Sequence, residues 1–198
     1  MNSGVFGCDT DCKAKAADYI WLDVWGYSKN VVVAADGRGV RGIRLLTPNE
    51  YQNAVSDLTG YTINSDELPK AFFDSSFKYP TQSETGIVLY EKLSTLVTLA
   101  EKIAENANLT SVGCSSTACS DAQVSEAGLR VIRRPLTASE LSTYKAINNT
   151  QGSRGMLASM LLSPYFLYKS ELGEWNDTEQ AYELTDYEIA SQLAFQLW

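Results

Sequence analysis

The sequence contains no histidine. Histidine is the usual general base near neutral pH and the commonest metal ligand, so its absence excludes Ser–His–Asp and Cys–His catalysis and every histidine metal site. It also excludes covalent haem attachment through a Cys-x-x-Cys-His motif. Any chemistry in this chain has to depend on other side chains.

Long hydrophobic runs and an excess of positive charge are also missing. No stretch approaches the roughly 18 apolar residues of a membrane helix, and residues 1–11 are polar and acidic, unlike a signal peptide. The chain has 16 Lys and Arg against 24 Asp and Glu, a formal charge of −8. Such a chain repels phosphate groups, so we expect no nucleic-acid binding. Because no apolar stretch is long enough, we also expect no membrane insertion.

The composition is that of a folded protein. The chain has 198 residues, of which 44% are apolar. This is enough for one or two compact domains with a buried core. The apolar fraction is inconsistent with disorder throughout the chain.

Four cysteines form two close pairs among small and polar residues: Cys8 with Cys12, and Cys114 with Cys119. We expect two local disulfides with this pairing, because each pair can meet without a long-range contact. Three connectivities exist in principle. The alternatives are a four-cysteine zinc site, for which the spacing is unusual, and two reduced pairs. Disulfides indicate an oxidising, extracytoplasmic compartment such as the periplasm or the cell surface.

Three segments carry a complete helix-start signal, namely Leu46–Tyr51, Leu136–Leu141 and Leu184–Ile189. Each has a Thr cap, a Glu three residues later and apolar residues on both sides. The Thr hydroxyl can accept from the Glu N–H, while the Glu carboxylate accepts from the Thr N–H. Their uneven separation indicates three separate helices rather than a repeat. The predicted cap pairs are Thr47 with Glu50, Thr137 with Glu140, and Thr185 with Glu188.

Apolar periodicity predicts further helices at Asp11–Trp25, Glu84–Ala107, Asp121–Val131 and Arg154–Ser163. A proline at position 164 then marks a break before an aromatic helical turn. Strand signals are weak, and the one β-branched run is Val31–Val33. The predicted fold class is mainly α. We expect an irregular multi-helix bundle with long loops and at most one short β segment.

Several stretches resemble a family of large planctomycete-type, cytochrome-associated exported proteins, which carry a series of domains of unknown function. The opening domain of that series is similar to Arg44–Gly60. A second domain is similar to Arg133–Thr137 with Glu140, and a third to Leu161–Tyr168, Leu184–Ala190 and Leu193–Trp198. The resemblance implies an exported, multidomain protein connected with electron transfer or polymer degradation.

The N-terminal residues resemble a different domain. Cys8 and Cys12, followed by Ala16–Trp21, look like the closing helix of a c-type cytochrome domain. In such domains a preceding loop supplies an axial Met ligand, and Met1 stands near that place. This chain has no complete haem site, so we expect no cofactor in it, although the parent protein could carry haem c.

The two resemblances together imply a division of the chain into four parts. Residues 1–25 would be the C-terminal helix of a truncated cytochrome c-like domain, and residues 26–42 a linker. Residues 43–163 would form one or more helical domains of unknown function. Residues 164–198 would be the truncated start of a further helical domain.

Candidate functional residues have structural alternatives, which we favour. Arginine clusters could bind a carboxylate or a partner domain, but pairing with the surplus acids is the simpler interpretation of Arg38, Arg41, Arg44, Arg130, Arg133 and Arg134. An aromatic group could stack on carbohydrate, but a core or interface role is more typical of Tyr165, Phe166, Tyr168, Trp175 and Tyr182. Paired acids such as Asp186 and Glu188 would serve a glycosidase only with one raised pKa.

The sequence therefore predicts no catalytic, cofactor-binding or metal-binding residue. We expect a non-catalytic helical interaction or scaffold segment of a larger exported protein. Its predicted partners are the neighbouring domains of that protein, with self-association through apolar faces around Tyr165–Trp198. Two alternatives stay open. One is part of an electron-transfer protein whose haem-bearing portion is missing, and the other is an enzyme or binding module for extracellular polysaccharide.

Overall fold

A computed structural model describes residues 42–69, 90–114 and 118–197, together with the backbone of two short N-terminal strands. The chain divides into two compact units, Met1–Arg41 and Gly42–Trp198. The second unit contains every element that bears on the candidate site.

In the first unit, strand β1 (Ile20–Leu22) pairs antiparallel with strand β2 (Ser28–Asn30). The helix predicted for Asp11–Trp25 is therefore wrong over Ile20–Leu22. These three residues are β-branched, aromatic and aliphatic, and such residues pack well on a paired strand. The rest of that predicted helix, and the strand predicted at Val31–Val33, lie outside the described residues.

The second unit is mainly α, which confirms the predicted class. Its described elements are β3 (Gly42–Leu45), α1 (Pro48–Thr59), α2 (Tyr90–Asn106), α3 (Asp121–Ile132), α4 (Ala138–Leu161), α5 (Pro164–Leu167), β4 (Tyr168–Glu171), β5 (Glu174–Asn176), β6 (Ala181–Glu183) and α6 (Asp186–Leu197). None of the helices in these ranges is long and apolar enough to cross a membrane.

The three predicted helix starts form as expected. At α1 the Glu50 N–H donates to Thr47 Oγ1 over 3.2 Å, and the Thr47 N–H donates to Glu50 Oε2 over 2.8 Å. The same reciprocal pair opens α4 with Thr137 and Glu140, and α6 with Thr185 and Glu188. Helix α3 has an equivalent box that we did not predict, made by Ser120 and Gln123.

Helix α4 is the centre of the core and packs against both α2 and α3. It consists of two helical segments that meet at Gly152, whose φ of 73° and ψ of −178° interrupt the helix. A glycine adopts this left-handed φ without a steric penalty. The second segment corresponds to the buried helix predicted from Arg154. It supplies Met156, Leu157, Met160 and Leu161 to the core.

The core also draws on the other helices before residue 168. Its largest fully buried side chains include Tyr51 and Val55 of α1, Leu96 and Ile103 of α2, and Val124 of α3. Gly128 of α3 has no side chain, and the Leu136 side chain occupies the space that a Cβ atom at position 128 would need. The start of α4 therefore approaches α3 closely.

Residues 164–171 join this core. Phe166 is buried and its ring meets that of Tyr51 edge to face, with centroids 5.7 Å apart. Strand β4 pairs antiparallel with β3, and Leu45 lies opposite Tyr168. Residues on both sides of position 164 therefore pack in one compact unit, and the four-part division of the chain stays a prediction.

The prediction of at most one short β segment is wrong. The described residues contain three antiparallel strand pairs, β1–β2, β3–β4 and β5–β6. Each strand is three or four residues long. Segments this short carry no periodic signal of their own, so their pairing depends on contacts that the local sequence does not specify.

Candidate functional site

The candidate site lies around Arg133, the residue that ends α3. Arg133 is in the left-handed conformation, with φ at 64°. Its Nη2 atom donates to three backbone carbonyls, those of Tyr165, Phe166 and Tyr168, over 2.7, 2.9 and 3.3 Å. The guanidinium also lies 5.1 Å from the Phe195 ring centroid of α6. Burial lowers the pKa of Arg133 to about 10, so the side chain stays charged at neutral pH.

Arg134 points to a different set of partners. Its two terminal nitrogens donate to the two carboxylate oxygens of Glu140, over 2.9 and 2.7 Å. Its guanidinium lies 4.1 Å from the Tyr165 ring centroid, a cation–π distance. The hydrogen bond from Arg134 is the main cause that lowers the pKa of Glu140 to about 2.

The other described arginines of the two clusters pair with acids, as the structural interpretation predicts. Arg44 forms a bidentate pair with Glu50 over 2.7 and 2.6 Å, and Arg130 pairs with Glu126 over 2.8 Å. Arg38 and Arg41 lie outside the described residues. Arg133 differs from these residues because it is held by carbonyls and aromatic rings.

A first cavity of about 320 Å³ opens beside Arg133 and Arg134. Its walls come from the α3–α4 corner, from β4 and from the first two turns of α6. Three tyrosines and two serines contribute to the lining: Tyr165, Tyr168, Tyr187, Ser170 and Ser191. The cavity therefore combines aromatic surface with hydroxyl groups.

A second cavity of about 320 Å³ lies against Arg133 and α6. Residues of α1 and α3, including Leu58 and Val131, line it together with Ala194 and Phe195 of α6. Helix α6 thus borders two cavities, and none of its residues is buried. This packing is much looser than that of α2, α3 and α4.

The carboxylate Glu188 at the start of α6 is fully engaged. Its oxygens accept from the backbone N–H groups of Leu172, Gly173 and Thr185 and from the hydroxyls of Ser170 and Thr185. Burial by itself would raise the pKa of Glu188, but the backbone hydrogen bonds outweigh it and the pKa falls below its usual value.

A glycosidase would need an acid that keeps its proton near neutral pH, which requires a raised pKa. The described carboxyls with a shifted pKa all have a lowered one. The pKa is lowered at Glu50, Glu67, Glu140 and Glu188. Hydrogen bonds stabilise the ionised form of each of these groups. The described residues therefore give the glycosidase hypothesis no support.

The predicted aromatic group divides among three places. Phe166 belongs to the core, and Tyr165 and Tyr168 line the first cavity. Trp175 and Tyr182 face each other across the β5–β6 hairpin, with ring centroids 5.2 Å apart, and each is 48% exposed. The group does not form one continuous stacking surface.

Cys114 and Cys119 form the disulfide expected from their spacing, with Cα atoms 5.4 Å apart. Asn148 of α4 holds the Cys119 backbone by donating to its carbonyl and accepting from its N–H. Cys8 and Cys12 lie outside the described residues. The described ranges contain no group of three or more Cys, Asp or Glu residues placed to hold a metal ion.

Sequence reasoning missed the Arg–Glu pairs at the two helix starts. In both, an Arg stands three residues before the Thr cap and the capping Glu three residues after it, as in Arg44 with Glu50 and Arg134 with Glu140. The shared spacing was a signal that could have revealed these pairs. The carbonyl contacts of Arg133 had no such signal, because carbonyl positions depend on the fold.

No protein-family model, no curated protein and no solved structure matches this chain.

Proposed function

We propose that residues 42–198 act as a non-catalytic interaction module within a larger exported, cytochrome-associated protein, and that helix α6 provides the contact surface. The neighbouring domains of the parent protein are the proposed partners. The proposal places the module outside the cytoplasm. It assigns no cofactor to this chain.

The orientation of α6 carries the proposal. The half-buried residues of α6 are Glu188, Ser191, Gln192 and Phe195, at the spacing of one helix face. Three of these four are polar. Ile189, Leu193 and Leu197 instead face solvent and are 45, 53 and 82% exposed. We call these three residues the α6 outer face.

This orientation is the reverse of what folding alone would favour. A surface helix normally turns its apolar stripe to the core and its polar residues to water. Full burial of an Ile or Leu side chain is favourable by about 1.5–3 kcal/mol. Covering the α6 outer face would therefore contribute several kcal/mol to the binding of a partner.

The rest of the C-terminal part also has many exposed apolar side chains. Among the described residues, nine of the twelve large apolar side chains that are exposed lie within residues 165–197. They include Tyr187 of α6 and the pair formed by Trp175 and Tyr182. Exposed apolar residues that lie together in a large patch are typical of interaction sites.

The proposal predicts association through the α6 outer face when charge repulsion is screened. In salt of about 1 M, where the screening length is about 3 Å, we expect the wild-type protein to self-associate in sedimentation velocity experiments. The variant Ile189→Gln/Leu193→Gln/Leu197→Gln should sediment as a monomer.

A matched control replaces exposed apolar residues elsewhere, as Ile43→Gln/Leu93→Gln/Leu129→Gln. These side chains are 48, 42 and 38% exposed and lie on β3, α2 and α3. The control should associate like the wild type. A wild-type protein that stays monomeric at concentrations on the order of 100 μM, where weak association is populated, would contradict the proposal.

A further inference from the structure

The charge of the C-terminal part differs from that of the rest of the chain. Residues 168–198 contain seven acids and one cation, Lys169, giving a formal charge of 1 − 7 = −6. The whole chain has a formal charge of −8, so the other 167 residues together contribute only −2. Most of the net negative charge therefore lies in the segment that contains α6.

The one cation of this segment is already used. Lys169 is buried, at 5% exposure, and its Nζ atom lies 3.5 Å from Glu171 Oε1. The other six acids of the segment have no Lys or Arg in residues 170–198 to pair with. The segment supplies no further cation of its own, so its formal charge stays strongly negative.

Part of this charge is concentrated next to the start of α6. In the β5–β6 hairpin Glu174 lies directly opposite Glu183, and both are exposed. Like charges directly opposite each other destabilise a strand pair. Both residues line, with Asp177, a third cavity of about 340 Å³ that reaches Leu184 and Thr185 at the start of α6. A cationic group at this position would relieve the repulsion.

We propose that the α6 outer face docks a cationic amphipathic protein segment, with the apolar side of that segment against Ile189, Leu193 and Leu197 and its Lys or Arg side chains against the carboxylates of the β5–β6 hairpin. This inference rests on the proposed interaction function and names the chemistry of the partner. The apolar face is the docking site, and the surrounding charge selects the occupant.

The same charge argues against two other occupants. A second copy of the chain would bring another surface with a formal charge of −6 against the first, and like-charge juxtaposition across an interface is unfavourable. An anionic membrane surface is repelled for the same reason, because such surfaces attract polybasic segments. A cationic partner gains both apolar burial and complementary charge.

The test uses a labelled synthetic helical peptide of about 18 residues, or five turns, with leucine at positions i, i+3, i+4 and i+7 and lysine elsewhere. Fluorescence anisotropy with the full chain should show saturable binding. A matched peptide with glutamate in place of every lysine should bind at least about tenfold more weakly. Raising the salt should weaken lysine-peptide binding by a similar factor.

Variants of the chain locate the contact. Glu174→Gln/Asp177→Asn/Glu183→Gln should weaken lysine-peptide binding by about three- to tenfold. The control Asp66→Asn/Glu101→Gln/Glu105→Gln removes the same number of charges from exposed positions at the α1–α2 side and should change the affinity less than twofold. The outer-face variant Ile189→Gln/Leu193→Gln/Leu197→Gln should also lose affinity.

Equal binding of the two peptides, or an equal loss in the two charge variants, would overturn the inference. A tight dimer in low salt would make the second copy the occupant, and co-sedimentation with phosphatidylcholine vesicles without peptide binding would make it a membrane. All of these results would leave high-salt association through the α6 outer face intact. Failure of that association would instead contradict the proposed function.

Discussion

Residues 42–167 and residues 168–197 share local features but differ in how far their side chains are buried. Both parts contain helices opened by a Thr–Glu capping box, and both are rich in apolar residues. In the first part the apolar side chains form the core, from Leu45 to Leu167. In the second part Lys169 is the one described residue that is buried, and α6 has none. The first part therefore contains nearly all of the described core, and the exposed apolar residues of the second part support the recognition role proposed for it.

The largest expected effect is a difference in the free energy of unfolding between one leucine-to-alanine substitution in the first part and one in the second. Leu161 of α4 is fully buried, so Leu161→Ala should lower the free energy of unfolding by about 2–5 kcal/mol through lost burial and a residual cavity. Leu193 of α6 is 53% exposed, so Leu193→Ala should change it by no more than about 0.5 kcal/mol.

Urea unfolding followed by circular dichroism measures both values, provided that the slope with denaturant is the same for the variants. The distinction between the two parts would be wrong if Leu193→Ala lowered the free energy of unfolding as much as Leu161→Ala does. That result would mean that α6 is packed in solution.

An intermediate effect is expected at the disulfide of the first part. Cys114 and Cys119 are five residues apart, and closing so short a loop stabilises by about 2 kcal/mol in the chain-entropy description. In a Cys8→Ala/Cys12→Ala background, reduction should therefore lower the free energy of unfolding by about 2 kcal/mol.

The reduced protein also tests whether peptide binding is independent of the stability of the first part. Its affinity for the lysine peptide should stay within twofold of the oxidised protein, because the disulfide lies in the core and not on the α6 outer face. A large parallel loss of binding would show that stability and recognition are not divided as described. Adding Cys114→Ala/Cys119→Ala should remove the response to reductant.

The smallest expected effect is a pH dependence at the start of α4. The pKa of Glu140 falls from its usual 4.5 to about 2 in the folded chain. A lowered folded-state pKa stabilises the folded state fully above pH 4.5, and this stabilisation is lost as the pH falls to about 2. Because the pair with Arg134 is partly exposed to solvent, with the two side chains 27 and 23% accessible, we expect about 1 kcal/mol.

Unfolding measurements between pH 2 and pH 6 should show the wild type losing its advantage over Glu140→Gln across this window. Glutamine can still accept from the Thr137 N–H, so the capping box remains and the charge is the main change. Glu126→Gln, at the more exposed pair with Arg130, should give a smaller difference. A pH-independent gap for Glu140→Gln would assign its effect to packing rather than to charge.

Capping residues and apolar periodicity predicted the helices well, because a helix start is determined by residues that are contiguous in the sequence. Thr47 with Glu50 and Thr137 with Glu140 lie three residues apart, and the structure has both capping boxes. The long apolar stripe of α2 and the buried stripe after Gly152 follow the helical period, so both were visible in the sequence. The boundary of α3 before Pro135 was visible for the same reason.

Features that depend on distant residues were not predictable. Strand β4 pairs with β3 across more than a hundred residues of chain, and neither strand has a β-branched run. Arg133 was interpreted as a partner for acids, yet it binds three carbonyls that come together only once α5 and β4 are in place. The sequence singles out this arginine, but it does not reveal the partners of the guanidinium.

The third helix start differs from the first two in where its partners lie. At α1 and α4 the capping Glu is neutralised by an Arg six residues earlier, so seven contiguous residues complete the structure. At α6 the equivalent donors to Glu188 are the N–H groups of Leu172 and Gly173, in the turn between β4 and β5. We therefore expect α1 and α4 to begin early during folding and α6 to acquire its full cap only after that turn has formed. The surface proposed for recognition would then be the last to mature.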